Sequence, residues 1–223
     1  MRRSREVVLT GTTPAGEEIS LRPVRRGDRA EFVALRERNA DWLRPWDPTV
    51  PPGGPARRDI AADFGGYVRA LRAEARSGGG LSLVIVVGDR IVGMVSASSI
   101  VEGALRSASL GYWVGQEVAG RGIAPTAVAT IADHLMDPRG RNLHRMQLEI
   151  RPDNPASLAV AAKLGLREEG LRRASLHIDG DWRDHYAFAL TQEEVPQGVL
   201  ARWVHGQVPP NAAAIPPADR LAL

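Results

Sequence analysis

Gly120-Arg121-Gly122 lies between an alternating apolar run and an alanine-rich stretch, where a strand would give way to a helix. The chemistry of that arrangement is anion binding. Backbone N–H groups at a helix N-terminus point outward, and the helix dipole favours negative charge. Glycine permits the tight turn and removes side chains that would block the approach of oxygen atoms. The turn is not a Walker-type phosphate loop, since no Gly-Lys-Ser/Thr follows. Nor does it match the dinucleotide fingerprint, because the third glycine is missing and the loop falls mid-sheet. Spacing alone gives an anion or nucleotide site and stops there.

Other chemistries are excluded by composition. With no cysteine, disulfides, thiolate catalysis and Cys-based metal sites drop out. The five histidines show no His-x-x-x-His spacing, so no metal site is expected. The net charge is only +3 although the pI is about 9.9, because the basic residues are almost all arginine and Lys163 is the single lysine. Arginines scattered in this way read as a solvated surface, and direct nucleic-acid binding is not expected. No apolar run is long enough to cross a bilayer, and Met1 to Glu6 lacks the apolar run of a signal peptide. A cytoplasmic protein is the expectation.

The elements that must position the glycine turn follow from hydrophobic period and turn residues. Strands are predicted over Glu18–Val24, Leu81–Val87, Ile91–Ile100, Arg106–Val114, Arg145–Ile150, Arg167–Ile178 and Trp182–Leu190. Helices are predicted after Asp28 up to about Asn39, and over Arg57–Arg76, Ile123–Met136, Asn154–Leu164 and Gln192–His205. The prolines and glycines from Asp41 to Pro55 argue against regular structure there. The mixture of hairpins and crossovers implies an α/β protein with a mixed sheet. Residues 1–16 read as an extension, 17–191 as one domain, and 192–223 as a helix with a mobile Pro/Ala-rich tail from Val208.

Leu110-Gly111-Tyr112-Trp113-Val114-Gly115, followed by Glu117 to Gly122, resembles the central motif of the GNAT N-acetyltransferases, whose usual pattern is Gln/Arg-x-x-Gly-x-Gly/Ala. Leu148-Glu149-Ile150-Arg151-Pro152-Asp153-Asn154, with Ser157 and Lys163-Leu164-Gly165-Leu166, resembles the next motif in the same order. The likeness runs from Glu18 to Leu190. Within the family, Arg44-Pro45-Trp46-Asp47-Pro48 and Ile178 to His185 resemble the RimJ and RimL branch, RimJ more nearly; these acetylate N-termini of ribosomal proteins.

The resemblance implies a single GNAT-type domain: a mixed, mostly antiparallel sheet flanked by helices and splayed between its fourth and fifth strands. It also implies acetyl-CoA as cofactor. Trp113, Val114, Val118, Ala119, Gly120, Arg121, Gly122, Ile123, Ala124, Asn154 and Ser157 are the residues expected to hold it. A backbone N–H around Trp113 to Gly115 would hold the acetyl carbonyl. Glu149 stands where some relatives place a base acting through water, and it equally reads as one half of a salt bridge. Asn154 caps a helix with Pro155 at its first position, and the family role is a hydrogen bond to the cofactor arm. The tyrosine many relatives carry seven residues on is Ala161 here, so Ser157 is the expected donor to sulfur, with a plain capping role as the alternative. Glu117 departs from the family pattern, and Arg121 reads either as its compensating charge or as an exposed side chain. Trp42, Trp46, Tyr112, Trp182 and His185 are the candidates for the acceptor side, His185 also as a second-choice base. The acceptor itself is expected to be a protein N-terminus, most simply ribosomal, with a small amine or another acyl-CoA as alternatives. A non-catalytic acyl-CoA-binding module is the reading that Glu117 and Ala161 invite. Whether the protein is a monomer or a homodimer is not legible.

Overall fold

The computed structural model describes residues 7–55 and 59–209. Eight strands make one sheet: β1 (Leu9–Thr12), β2 (Glu18–Pro23), β3 (Leu81–Val87), β4 (Arg90–Val101), β5 (Ser107–Val114), β6 (Arg145–Ile150), β7 (Arg167–Ile178) and β8 (Asp181–Thr191). Their order is β1-β2-β3-β4-β5-β6-β8-β7, and every neighbouring pair is antiparallel except β5–β6. The helices are α1 (Arg29–Arg38), α2 (Ala40–Leu43), α3 (Phe64–Ser77), α4 (Ile123–Met136), α5 (Pro155–Leu164) and α6 (Val199–Val204).

β3 is apolar along most of its length because both faces of the sheet are covered there. Leu83 and Ile85 point into a large core with Ala127, Val128, Ile131 and Leu135 of α4, which also takes Leu110, Met146, Leu148, Ile150 and Phe188. Val84 and Val86 point the other way, against Phe32 and Leu35 of α1 and Phe64 and Val68 of α3. Burying a Leu- or Phe-sized side chain stabilises by about 1.5–3 kcal/mol, so α4, with most of its residues buried, anchors the element that follows the glycine turn.

Most predicted elements stand within a residue or two of the expected ends, and the differences have local causes. A strand, β1, forms inside the stretch read as an extension and pairs with β2 through Thr12↔Glu18. The helix expected from Arg57 begins at Phe64, where the Asp63 carboxylate accepts the Gly66 N–H at 2.8 Å. Ala56, Arg57 and Arg58 lie outside the described residues. The stretch expected to lack regular structure contains α2 and a 3-10 turn over Arg44–Trp46, in which Pro45 sits at a tolerated early position. Asp28 precedes α1, but its carboxylate turns back to Arg22 (2.7 Å) and the Arg25 N–H (2.7 Å) instead of capping. The last predicted helix is divided into a 3-10 turn, Gln192–Glu194, and α6, because Pro196 lacks an N–H and Gly198 has φ +93°. The tail predicted to be mobile falls, from Pro210 on, outside the described residues.

The site depends on one irregularity. β5 and β6 pair only through Ser107↔Arg145, Ala108↔Met146 and Ser109↔Gln147. From Leu110 and Leu148 onward they diverge, and the sheet opens at the expected strand pair.

Candidate active site

The splay exposes backbone, and the register says which backbone. The Gly115 N–H donates to Val92 O at 2.8 Å. Bonded and non-bonded pairs alternate along antiparallel strands. With Gly93↔Val114 and Val95↔Tyr112, Trp113 therefore turns its peptide groups to β4, while Tyr112 and Val114 turn theirs into the gap. On the other limb, the Gln192 N–H donates to His144 O at 3.0 Å, and the same alternation turns the peptide groups of Glu149 away from β8 into the gap. Of the backbone donors expected around Trp113 to Gly115, the geometry leaves Val114 N–H as the one facing the opening. Gly93 makes this close approach possible, since a Cβ there would meet Val114 Cα at 2.9 Å.

At the mouth, the chain turns through Gly120 (φ +80°) and Gly122 (φ +82°), a conformation that L side chains avoid. Nothing lies within 4 Å of where a Gly120 side chain would begin. Helix α4 starts immediately after, and its first-turn N–H groups, Ile123 and Ala124 among them, have no partner within the helix. Val118 is buried beneath the turn. Gly122 is flanked by Trp203 of α6 and by Thr13 and Pro14 of the β1–β2 turn, all within 3.8 Å of a would-be Cβ. The Trp203 Nε1–H donates to Thr126 Oγ1 at 3.0 Å, and Thr126 Oγ1–H donates to Gly122 O at 2.8 Å.

Neither charged residue of the turn points at the other. Arg121 pairs with Glu17. Glu117 is turned back to Arg38 (3.3 Å) and Asn39 Nδ2 (3.4 Å). Burial pushes its carboxyl up, but bonds from its own backbone N–H, Arg38 and Asn39 outweigh that and hold it below the usual range. The unexpected carboxylate is thus neutralised from α1 and kept away from the first turn of α4.

On the α4–α5 side of the gap, Asn154 caps α5: its Oδ1 accepts the Ser157 N–H at 3.0 Å, with Pro155 at the first helical position. Tyr112 packs against the large core, and its hydroxyl is buried with no protein partner in hydrogen-bond geometry among the described residues. Burial pushes that phenol up to about 12, and the adjacent Ser157 hydroxyl pulls the other way. Trp113 points to the opposite face, edge-on to Phe32 at 5.7 Å and beneath the Arg36 guanidinium at 5.0 Å. Its side chain is core, so any cofactor contact it makes is through backbone.

The segment from Asn39 to Thr49 straps the open end. Asn39, 3% exposed, accepts the Gln116 N–H at 2.8 Å and donates to Leu35 O at 3.0 Å. Trp42 Nε1–H reaches into the gap and donates to Val114 O at 3.2 Å. Arg151, at the end of the other limb, donates to Pro45 O at 2.8 Å and lies over Trp46 at 5.2 Å. Pro48 bridges to Ile178, and Thr49 bonds His177 of the last hairpin. Asn39 and Arg151 were not singled out from sequence. An asparagine at a helix end reads as a cap, and nothing in its type announces a buried tie.

The remaining candidates divide by position. The two Glu149 carboxylate oxygens bond Arg172 and Ser175 Oγ, the latter at 2.7 Å. The salt-bridge arrangement is therefore present, and a proton-accepting role would require one of these bonds to yield. His185 is buried, and its Nδ1–H donates to Arg183 O at 3.0 Å. Trp182 lies at the hairpin tip, 53% exposed and edge-on to His177 at 5.5 Å. Among the described residues no cluster of three His, Cys, Asp or Glu could hold a metal, and no helix is long and apolar enough to cross a membrane.

Comparison with known proteins gives this geometry a family. Residues 18–167 match the family described as acetyltransferase (GNAT) domain. The chain is 27% identical over 190 residues to the [ribosomal protein uS5]-alanine N-acetyltransferase of Escherichia coli (strain K12), covering 82% of this chain and 92% of that one. It is 28% identical over 187 residues to the probable N-acetyltransferase YjcK of Bacillus subtilis, covering 82% and 98%. Among solved structures it is similar to Mycobacterium smegmatis RimJ in complex with CoA-disulfide: TM-score 0.82, 37% identity, 90% of this chain and 95% of that one. A splayed sheet, a left-handed glycine turn and a family match over residues 18–167 agree: the chain belongs to the GNAT acetyltransferase family and is an acetyl-CoA-dependent N-acetyltransferase.

Proposed function

We propose that this enzyme acetylates the N-terminal α-amine of a ribosomal protein, in the cytoplasm. The observation that carries the reading is the strap. Residues that resemble the RimJ branch, Arg44 to Pro48 and Ile178 to His185, meet at Pro48↔Ile178 and close over the open end of the splay. The similarity to the E. coli uS5-alanine enzyme and to M. smegmatis RimJ extends over this acceptor side as well as the cofactor side.

The residues present fit an acyl-CoA. The N–H groups of Gly120, Gly122, Ile123 and Ala124 would meet the pyrophosphate, and the Val114 N–H, with the peptide groups of Tyr112 and Glu149 that turn away from β4 and β8, would flank the pantetheine arm. Bound there, acetyl-CoA supplies an activated acyl carbon and a thiolate leaving group. Val114 N–H faces the gap and polarises the acyl oxygen. An α-amine titrates near 8, against about 10.4 for lysine, so an N-terminal acceptor needs little help in losing its proton. Glu149 gives that help through water, and Ser157 donates toward sulfur.

The test is incubation of the purified protein with acetyl-CoA and synthetic N-terminal peptides of the host's ribosomal proteins, alanine-leading ones included. Mass spectrometry reads the site of the added acetyl group. Acetylation at the α-amine, absent from the same peptide with a blocked N-terminus, is the expected result. Turnover with polyamines or aminoglycosides and none with peptides would replace the acceptor assigned here. Preference for succinyl-CoA would replace the donor.

A further inference from the structure

A hydroxyl buried among apolar side chains without a partner is unfavourable, and such groups in native proteins call for an explanation. The Tyr112 hydroxyl is one of two buried side-chain polar atoms among the described residues with no partner in hydrogen-bond geometry, the other being Arg183 Nε, and the one polar group beside it is the Ser157 hydroxyl. Its place is informative. Tyr112 is on β5 at the level where the strand has left β6, on the face shared with Leu110 and α4, and beside Ser157 in the first turn of α5. Its own peptide groups face the gap. Phenylalanine would fill the same apolar volume without the cost of the hydroxyl.

We propose that Tyr112 is a catalytic residue whose hydroxyl donates a hydrogen bond to the departing sulfur, side by side with Ser157. This rests on the placement of the thioester in the splay. In the transfer, the acceptor nitrogen bonds the acyl carbon, the carbon–sulfur bond breaks, and sulfur leaves with the electron pair. The proton shed by nitrogen goes to water at Glu149, and sulfur takes a proton from solvent afterwards. Tyr112 keeps its own proton throughout. A phenol held at about 12 does not yield its proton to a thiolate whose conjugate acid lies near 8.5. It acts as a fixed dipole in a dry wall, where such donors matter most.

The test compares wild type with Tyr112→Phe and Ser157→Ala. Isothermal titration measures affinity for acetyl-CoA, and for CoA against desulfo-CoA at pH 9.5. Kinetics use a synthetic peptide with a free N-terminal alanine, and thermal melting controls for the fold. Tyr112→Phe is expected to melt at or above the wild-type temperature and to bind acetyl-CoA within about twofold of wild type. It should lose about tenfold of the CoA over desulfo-CoA preference, and kcat should fall on the order of 10–100-fold with its alkaline limb unmoved. Unchanged preference and kcat within twofold would overturn the role of the hydroxyl while leaving the site in place. A wild type that does not distinguish CoA from desulfo-CoA would overturn the placement of sulfur in the splay, and the proposal with it. An alkaline limb that moves in Tyr112→Phe would make Tyr112 a proton donor and refute the fixed-dipole role.

Discussion

The two mouths of the splay are built from different materials. On the cofactor side the groups that face the opening are peptide N–H donors, set by two left-handed glycines, the register of β4 and β5, and the start of α4. On the acceptor side they are side chains, tied to backbone carbonyls or to one another: Trp42 to Val114 O, Arg151 to Pro45 O and Trp46, Glu149 to Arg172 and Ser175. A surface made of backbone tolerates exchange of the residues that bear it. Glu117 illustrates this, since a carboxylate in the cofactor motif is absorbed by turning it to Arg38 and Asn39. A surface made of side chains changes its ligand when any of them changes, which is how one fold serves many acceptors.

The contrast can be broken most severely at the turn. Replacing Gly120 and Gly122 together by valine forces two β-branched residues into φ near +80°, at a cost on the order of 1–3 kcal/mol each. Acetyl-CoA affinity by titration calorimetry should fall at least about 100-fold; retained affinity would show that this turn does not hold the cofactor. Next is Asn39→Ala, which removes a buried side chain that ties the Gln116 N–H and Leu35 O together. A loss of about 1–3 kcal/mol in urea unfolding is expected, with a weaker hold on acetyl-CoA as the turn loosens. Full stability would mean that the strap is not a tie.

Arg151→Lys sharpens the acceptor side. Lysine cannot both stack on Trp46 and reach Pro45 O with a planar fork. The peptide KM should rise several-fold with acetyl-CoA affinity unchanged, and a change in both would blur the division between the two mouths. The smallest effect belongs to Glu149→Gln. The fall in kcat/KM should be a few-fold below pH 8, where the α-amine is mostly protonated, and should fade above it as the amine deprotonates unaided. A fall that is equally large at pH 9 would point to a structural role through Arg172 and Ser175.

Much of this was legible in the sequence. The strands on either side of the splay, the glycine turn, α4 and α5 were readable because period, glycine punctuation and the Asn154-Pro155 cap all speak locally. What was not legible depends on long-range register. That Val114 and not Trp113 faces the gap follows from which residue of β5 meets which of β4, and no local pattern carries that parity. The ends of α3 and α6 moved because Asp63, Pro196 and Gly198 outweigh hydrophobic period at helix boundaries. Asn39, Gly93 and Arg151 were missed for a related reason, since each matters through a partner far along the chain.

The neighbours of Gly122 carry a practical consequence. Thr13 and Pro14 approach it from the first hairpin and Trp203 from the last described helix, so the outermost segments of the fold act as a two-sided bezel around the glycine turn. α6 is itself seated on Asp133, whose carboxylate accepts the Val199 and Leu200 N–H groups at 2.6 and 3.0 Å. Trimming to the motif-bearing middle of the chain would keep every signature residue and discard the frame around Gly122. Fusion partners and cleavage sites are therefore best placed before Leu9 or beyond His205, clear of both rims.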